Sequence, residues 1–284
     1  MEQLLPTLAS EHGAKIDQLL LLEHALILAV VGGWLLYFVY VLCRFRRKRQ
    51  PVANHEGARS HRAHVVEVIV FGAEVGLLVL LSIPFFTRQV TALPGPGPEE
   101  LRVRAVAQQY QWNIHYPGPD GIFSAARLDL VDDVNNPLGL DHDDPYLVDD
   151  VNNPLGLDHD DPYGKDDIVK RGQLVLPVGK SVTIYLSSKD VVHSFALPEF
   201  RVKQDAIPGM VIPVRFTPTM TTEAFQRIKK NPQRQFEIVC AQLCGQGHFS
   251  MRGVVEVLTP QAFEAWLKEN APAADSQEYD SFFE

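Results

Sequence analysis

No C-x2-C-H occurs anywhere in the 284 residues, so no haem is covalently attached to this chain. Cysteine and methionine are scarce, at three and four. Cations are the minority charge, 26 Lys and Arg against 35 Asp and Glu, for a net charge of −9. Seven of those cations crowd into residues 44–64, where Glu56 is the one acid, so that stretch carries +6 and the remainder −15. A basic cluster beside apolar runs is a topology signal, and nothing points to nucleic acid. No small-residue cleavage site follows the first apolar run, which is also too long and begins too far in for a cleaved leader. We expect it to persist as an anchor.

What is present begins with two long apolar runs, 17–43 and 65–86. Each exceeds the ~20 residues needed to cross a hydrocarbon core. The expected order is an outer segment 1–16, a span 17–43, a basic cytoplasmic loop 44–64 and a second span 65–86. Positive loops stay inside, so the N-terminus and the large C-terminal portion face the outside. Ionisable groups are costly in lipid and face protein or water. Glu23 and His24 fit the outer interface, Glu67 the inner end of the second span, and Glu74 a partner helix.

Residues 87–100 contain Pro94-Gly95-Pro96-Gly97-Pro98, a stiff linker. Beyond it the pattern turns to short strands at 101–107, 174–176, 181–186, 191–197, 211–216, 235–240 and 253–258. Short strands separated by turn signals predict a sandwich over 101–258. A helix is predicted from Pro260 to Glu269, with Thr259 as its cap, inside a C-terminal stretch 259–284 that ends in an acidic tail. Residues 130–146 read LVDDVNNPLGLDHDDPY, and 147–163 repeat them without a change. Identity without drift means a recent in-frame duplication or an error in assembling the sequence. Each copy has five Asp and no Lys or Arg, which predicts a solvated acidic insert. The run Asp141-His142-Asp143-Asp144 lacks the glycine and glutamate spacing of an EF-hand.

The chemistry concentrates in Cys240-Ala241-Gln242-Leu243-Cys244-Gly245-Gln246-Gly247-His248-Phe249-Ser250-Met251, with His193 upstream in Val191-Val192-His193-Ser194-Phe195. Thiolate and thioether favour copper in its lower oxidation state, and imidazole suits both states. Such a set fits one-electron transfer better than hydrolysis, which wants harder ligands and an open water position. Structural zinc and a Cys240–Cys244 disulfide are the alternatives. Zinc has no need of Met251, and a disulfide leaves His193, His248 and Met251 without a role.

In order along the chain, two spans, Gln109-Tyr110-Gln111-Trp112, His193-Ser194-Phe195, Phe200 to Gly209 and the Cys/His/Met loop resemble subunit II of haem-copper cytochrome c oxidases. The resemblance runs over roughly residues 15 to 270. It implies a two-helix transmembrane hairpin followed by an all-β Greek-key cupredoxin domain. It also implies two copper ions in a dinuclear copper A centre. Cys240 and Cys244 would bridge the metals, His193, His248 and Met251 would complete the two ends, and Gln242 would ligate through its backbone carbonyl. Tyr110, with Trp112 nearby, would be the point where electrons enter, and Glu67 would lie at the mouth of a proton channel of subunit I. Phe195 and Phe249 flank ligands and would limit water.

The implied partners are oxidase subunit I, which holds the haem, the other oxidase subunits, membrane lipids, and cytochrome c or a similar separate donor. The implied location is the inner membrane of a bacterial cell, with the N-terminus and copper domain periplasmic. The chain departs from the family at Tyr110, where most relatives carry tryptophan, and at Gln242, where most carry a magnesium-binding glutamate. A neutral amide is a weaker ligand for a hard cation, so the magnesium site is in doubt. A nitric oxide reductase subunit, a membrane-tethered copper carrier and a copper-free quinol oxidase subunit are the rival functions. The intact ligand set argues against the last.

Overall fold

The computed structural model describes residues 5–52, 61–90, 100–118, 121–123 and 167–271. The acidic repeat at 130–163, most of the linker and the acidic tail lie outside the described residues. The chain divides into two compact units, residues 17–95 and residues 1–16 with 96–284.

The first unit is helical. Helix α1 runs Gly13–Arg44, longer at both ends than the apolar run 17–43. The second span is also longer than its apolar run. It comprises α2 (His61–Leu77), a π-helical turn (Leu78–Ser82) and α3 (Ile83–Val90). Hydropathy marks the part that suits lipid, while backbone hydrogen bonding carries each helix past it. The π-turn has a local cause in Pro84, which has no N–H to donate to the carbonyl four residues back. The Ile83 N–H instead donates to the Leu78 carbonyl, five residues back. Both helices are long and apolar enough to cross a membrane, and their large side chains, from Leu21 to Leu42 and Val65 to Leu81, are exposed.

The second unit is a sandwich of two five-stranded sheets. Its strands are β1 (Leu101–Gln108), β2 (Gln111–Tyr116), β3 (Ile168–Arg171), β4 (Gln173–Pro177), β5 (Val182–Ser188), β6 (His193–Leu197), β7 (Val202–Ala206), β8 (Ile212–Phe216), β9 (Phe236–Cys240) and β10 (Arg252–Leu258). One sheet has the order β3-β2-β1-β5-β8 and the other β4-β10-β9-β6-β7. The pairs β1·β5 and β4·β10 are parallel, and the other named pairs are antiparallel.

In β1, Val103, Ala105 and Ala107 point inward while their neighbours are half-exposed, the period of two that a one-sided strand requires. β2 does not alternate. Trp112 through Tyr116 are all buried, Asn113 and His115 included, so its pattern does not read as a strand. Helix α4 (Thr222–Lys229) also interrupts the expected all-β order. Thr221 caps it by accepting from the Ala224 N–H at 3.3 Å, and Phe225 buries against Phe236. Helix α5 (Pro260–Asn270) has the expected Thr259 cap and Pro at its first turn.

Residues 6–11 belong to the same unit as the sandwich. The Ala9 N–H donates to the Glu199 carbonyl at 2.8 Å, the Thr219 N–H to the Ala9 carbonyl at 2.9 Å, and Ser10 Oγ to the Phe200 carbonyl at 2.6 Å. Ala9 is fully buried there.

Tyr116 ties the two sheets together. Its hydroxyl donates to the Val175 carbonyl at 3.0 Å and accepts from the Val175 N–H at 2.6 Å, and burial pushes its pKa upward. Tyr116→Phe strands both backbone groups in the core. It should cost about 1–3 kcal/mol, read as a lowered denaturation midpoint of the full chain, with secondary structure by circular dichroism unchanged.

Candidate metal centre

Strand pairing brings the candidate ligands together. Cys240, at the end of β9, is opposite Phe195 on β6, two residues from His193 at the start of β6. The loop after Cys240 then folds back on itself. The Ala241 N–H donates to the Ser194 carbonyl at 2.9 Å, and the Cys240 N–H to the Met251 carbonyl at 3.3 Å. A single 3-10 turn, His248–Ser250, closes the loop. Met251 thereby returns to the base of the loop that Cys240 opens.

The two sulfurs lie at the centre of the cluster, 3.8 Å apart. Cys240 Sγ lies 3.9 Å from His193 Nδ1 and 3.2 Å from the Gln242 carbonyl oxygen. Cys244 Sγ lies 3.5 Å from His248 Nδ1 and 3.8 Å from Met251 Sδ. The ligand atoms of His193, Cys240 and Cys244 all fall within 4.8 Å of one another. A disulfide needs sulfurs about 2.05 Å apart, so this arrangement is a dithiol. Metal–ligand bonds of about 2.0–2.3 Å place neighbouring donors about 3.3–3.8 Å apart around tetrahedral angles. The donor atoms already have roughly that spacing, and a soft metal fits them.

His193, Cys244 and Met251 are buried, while Cys240 and His248 are half-buried. Burial, and then the neighbouring Cys240, push the Cys244 thiol up to about 11. The metal-free thiol is therefore protonated at neutral pH, and metal binding must displace its proton.

Asp190 and Gln109 belong to the site as well. Asp190 Oδ1 lies 2.8 Å from His193 Nε2, the ring nitrogen facing away from the sulfurs. Burial opposes charge on this carboxyl. The hydrogen bond with His193 and those from the Gln109 and Val191 N–H groups outweigh burial and hold its pKa below the ordinary value. A carboxylate on the far nitrogen fixes the ring and its tautomer, leaving Nδ1 for a metal. The sequence offers a signal for Asp190, an acid three residues before a candidate ligand. It offers none for Gln109.

Tyr110 lies in the β1–β2 turn and covers the metal loop. Its ring and hydroxyl occupy space that a side chain at Gly245 or Gly247 would need. A Cβ at Gly245 would lie 2.6 Å from the Tyr110 hydroxyl, and one at Gly247 would lie 2.5 Å from its ring. Tyr110 is 36% exposed, whereas Trp112 is fully buried, edge-on to His193 and Phe195. Phe195 is buried, but Phe249 is 79% exposed in this chain and does not shield the loop. Glu67 belongs to the helical unit, exposed and 3.4 Å from His64.

The family model "Cytochrome C oxidase subunit II, periplasmic domain" matches residues 164–258. The alternative cytochrome c oxidase subunit 2 of Bradyrhizobium diazoefficiens is 33% identical over 238 residues, covering 83% of this chain and 73% of that protein. The chain belongs to the cytochrome c oxidase subunit II family. As a subunit II chain it is one component of a haem-copper oxidase. Cytochrome c oxidase subunit 2 of Synechocystis is 26% identical, covering 95% of this chain and 76% of the relative. A crystal structure of the periplasmic domain of subunit II from Bradyrhizobium japonicum is 23% identical, with a TM-score of 0.37, over 62% of this chain and 95% of that one.

Asp190→Ala should free the His193 ring. Loss of such a partner typically weakens metal binding about 10–100-fold. Competition with a copper chelator should show that loss, and unchanged copper retention would remove Asp190 from the site.

Proposed function

We propose that this chain accepts single electrons from a separate cytochrome c-type donor at a dinuclear copper centre and passes them to haem in subunit I, where oxygen is reduced. One observation carries the reading. Two sulfurs 3.8 Å apart form the middle of the donor set, with one imidazole beside each. Cys240 and Cys244 would hold a copper pair between them, with His193, His248, Met251 and the Gln242 carbonyl as the remaining donors, and that carbonyl would serve whatever the Gln242 side chain is. When bound, the copper pair supplies a one-electron carrier.

The chain's own residues do the rest. The loop's hydrogen bonds fix the donors before metal arrives, so little rearrangement accompanies a change of charge. Asp190 orients His193. The half-exposed Tyr110 touches the glycines of the metal loop and offers a short route from the surface, a role the buried Trp112 can serve only from beneath. Gln242 is exposed, and its neutral amide is a poor partner for magnesium. Glu67 at the inner end of the second span suits a proton-channel mouth.

Topology is supported by two independent features. The +6 loop favours the inside. Residues 6–11 hydrogen-bond within the outer unit, so the N-terminus shares that unit's side and the two helices cross and return. The bacterial inner membrane, with the sandwich in the periplasm, fits both.

Metal analysis of the copper-loaded full chain should find two coppers per chain. Cys240→Ser and Cys244→Ser should each abolish the pair, because each thiolate would serve both metals. Retention of both coppers in either variant would contradict the shared-sulfur reading. Tyr110→Ala should leave copper content unchanged and slow reduction of the centre by the donor, measured by stopped-flow absorbance. Loss of copper along with rate would make Tyr110 a packing residue.

A further inference from the structure

Three glutamines flank the Tyr110 turn, and they differ in what they touch. Gln108 Oε1 accepts from Asn113 Nδ2 at 2.9 Å. Gln111 lies beside Gly172. Gln109 turns toward the metal loop, and its two N–H groups reach two different ligand-bearing segments. Its backbone N–H donates to Asp190 Oδ2 at 2.6 Å. The other oxygen of that carboxylate holds His193 at 2.8 Å and accepts from the Val191 N–H at 2.6 Å. Its side-chain Nε2 donates to the Cys244 carbonyl at 2.5 Å. Gly245 leaves room for this contact, since a Cβ there would lie 2.8 Å from Nε2.

We propose that Gln109 is a positioning residue that clamps the His193 and Cys244 segments to the turn carrying Tyr110, and so sets the electronic balance and potential of the metal centre. The proposal rests on the copper-pair reading. The physical reason is the dual attachment. Asp190 fixes the imidazole at one side of the cluster, and the Cys244 carbonyl is part of the backbone carrying a bridging sulfur. A shift of the turn therefore moves an imidazole and a sulfur together. The donated N–H also presents the positive end of its dipole to the Cys244 peptide. That favours the electron-rich, reduced state, because hydrogen bonds around sulfur ligands tune potential. Removing the donor should lower the potential.

The test uses the full chain in detergent, loaded with copper. Gln109→Met keeps the side-chain length and removes the donor, while the backbone contact to Asp190 stays. The expected result is two coppers retained, an altered hyperfine pattern, and a reduction equilibrium moved about three- to tenfold toward the oxidised form. Gln109→Lys restores a donor and should return the hyperfine pattern toward that of the unsubstituted chain. Loss of copper from Gln109→Met but not from Gln109→Lys also supports the clamp. A Gln109→Met chain that loses thermal stability alone, with spectrum and equilibrium unchanged, overturns it. So does a failure of Gln109→Lys to restore either copper or spectrum. If the unsubstituted chain shows no paired-copper spectrum, the copper-pair reading itself fails and takes this inference with it.

Discussion

The candidate metal centre depends on one separation, the 3.8 Å between Cys240 Sγ and Cys244 Sγ. Two thiols so close would oxidise to a disulfide or drift apart in a loose loop. Here one is anchored at the end of β9, whose partner β6 begins with His193. The other is buried and held through its own backbone by Gln109. The loop from Cys240 to Met251 is closed at its base, where the Ala241 N–H donates to the Ser194 carbonyl and the Cys240 N–H to the Met251 carbonyl. The sandwich acts as a clamp, and it imposes ligand positions that a soft metal can occupy without large rearrangement.

The clamp also explains why the turn after β1 and the metal loop are chemically matched. Tyr110 lies where side chains at Gly245 and Gly247 would otherwise be, so glycine at both positions is a packing requirement. The same turn supplies Gln109. A surface aromatic and a structural hydrogen bond thus come from adjacent residues, Tyr110 and Gln109.

The candidate ligands stand out in the sequence because soft donors packed into twelve residues leave few other chemistries, and the fold brings their donor atoms together; the apolar helices stand out because lipid demands long apolar runs. Strands with one buried face, such as β1, could be read from alternation. β2 could not, because Asn113 and His115 are buried among apolar neighbours and erase the period. Helix α4 is only eight residues long and buries Phe225, and its local signals, the Thr221 cap and Glu223 in the first turn, are too brief to stand out from the surrounding strands. The expectation that Phe249 shields the loop fails because the 3-10 turn points it outward. Asp190 has a local signal, an acid three residues before His193, whereas Gln109 acts through a position fixed by the β1–β2 turn, so its part in the site emerges only in three dimensions.

The most direct test of the copper-pair reading is the paramagnetic resonance spectrum of the oxidised, copper-loaded full chain. One unpaired electron shared equally by two copper nuclei of spin three-halves gives seven hyperfine lines, and the account predicts that pattern. Four lines from a single copper, or a silent spectrum with zinc bound, would contradict it.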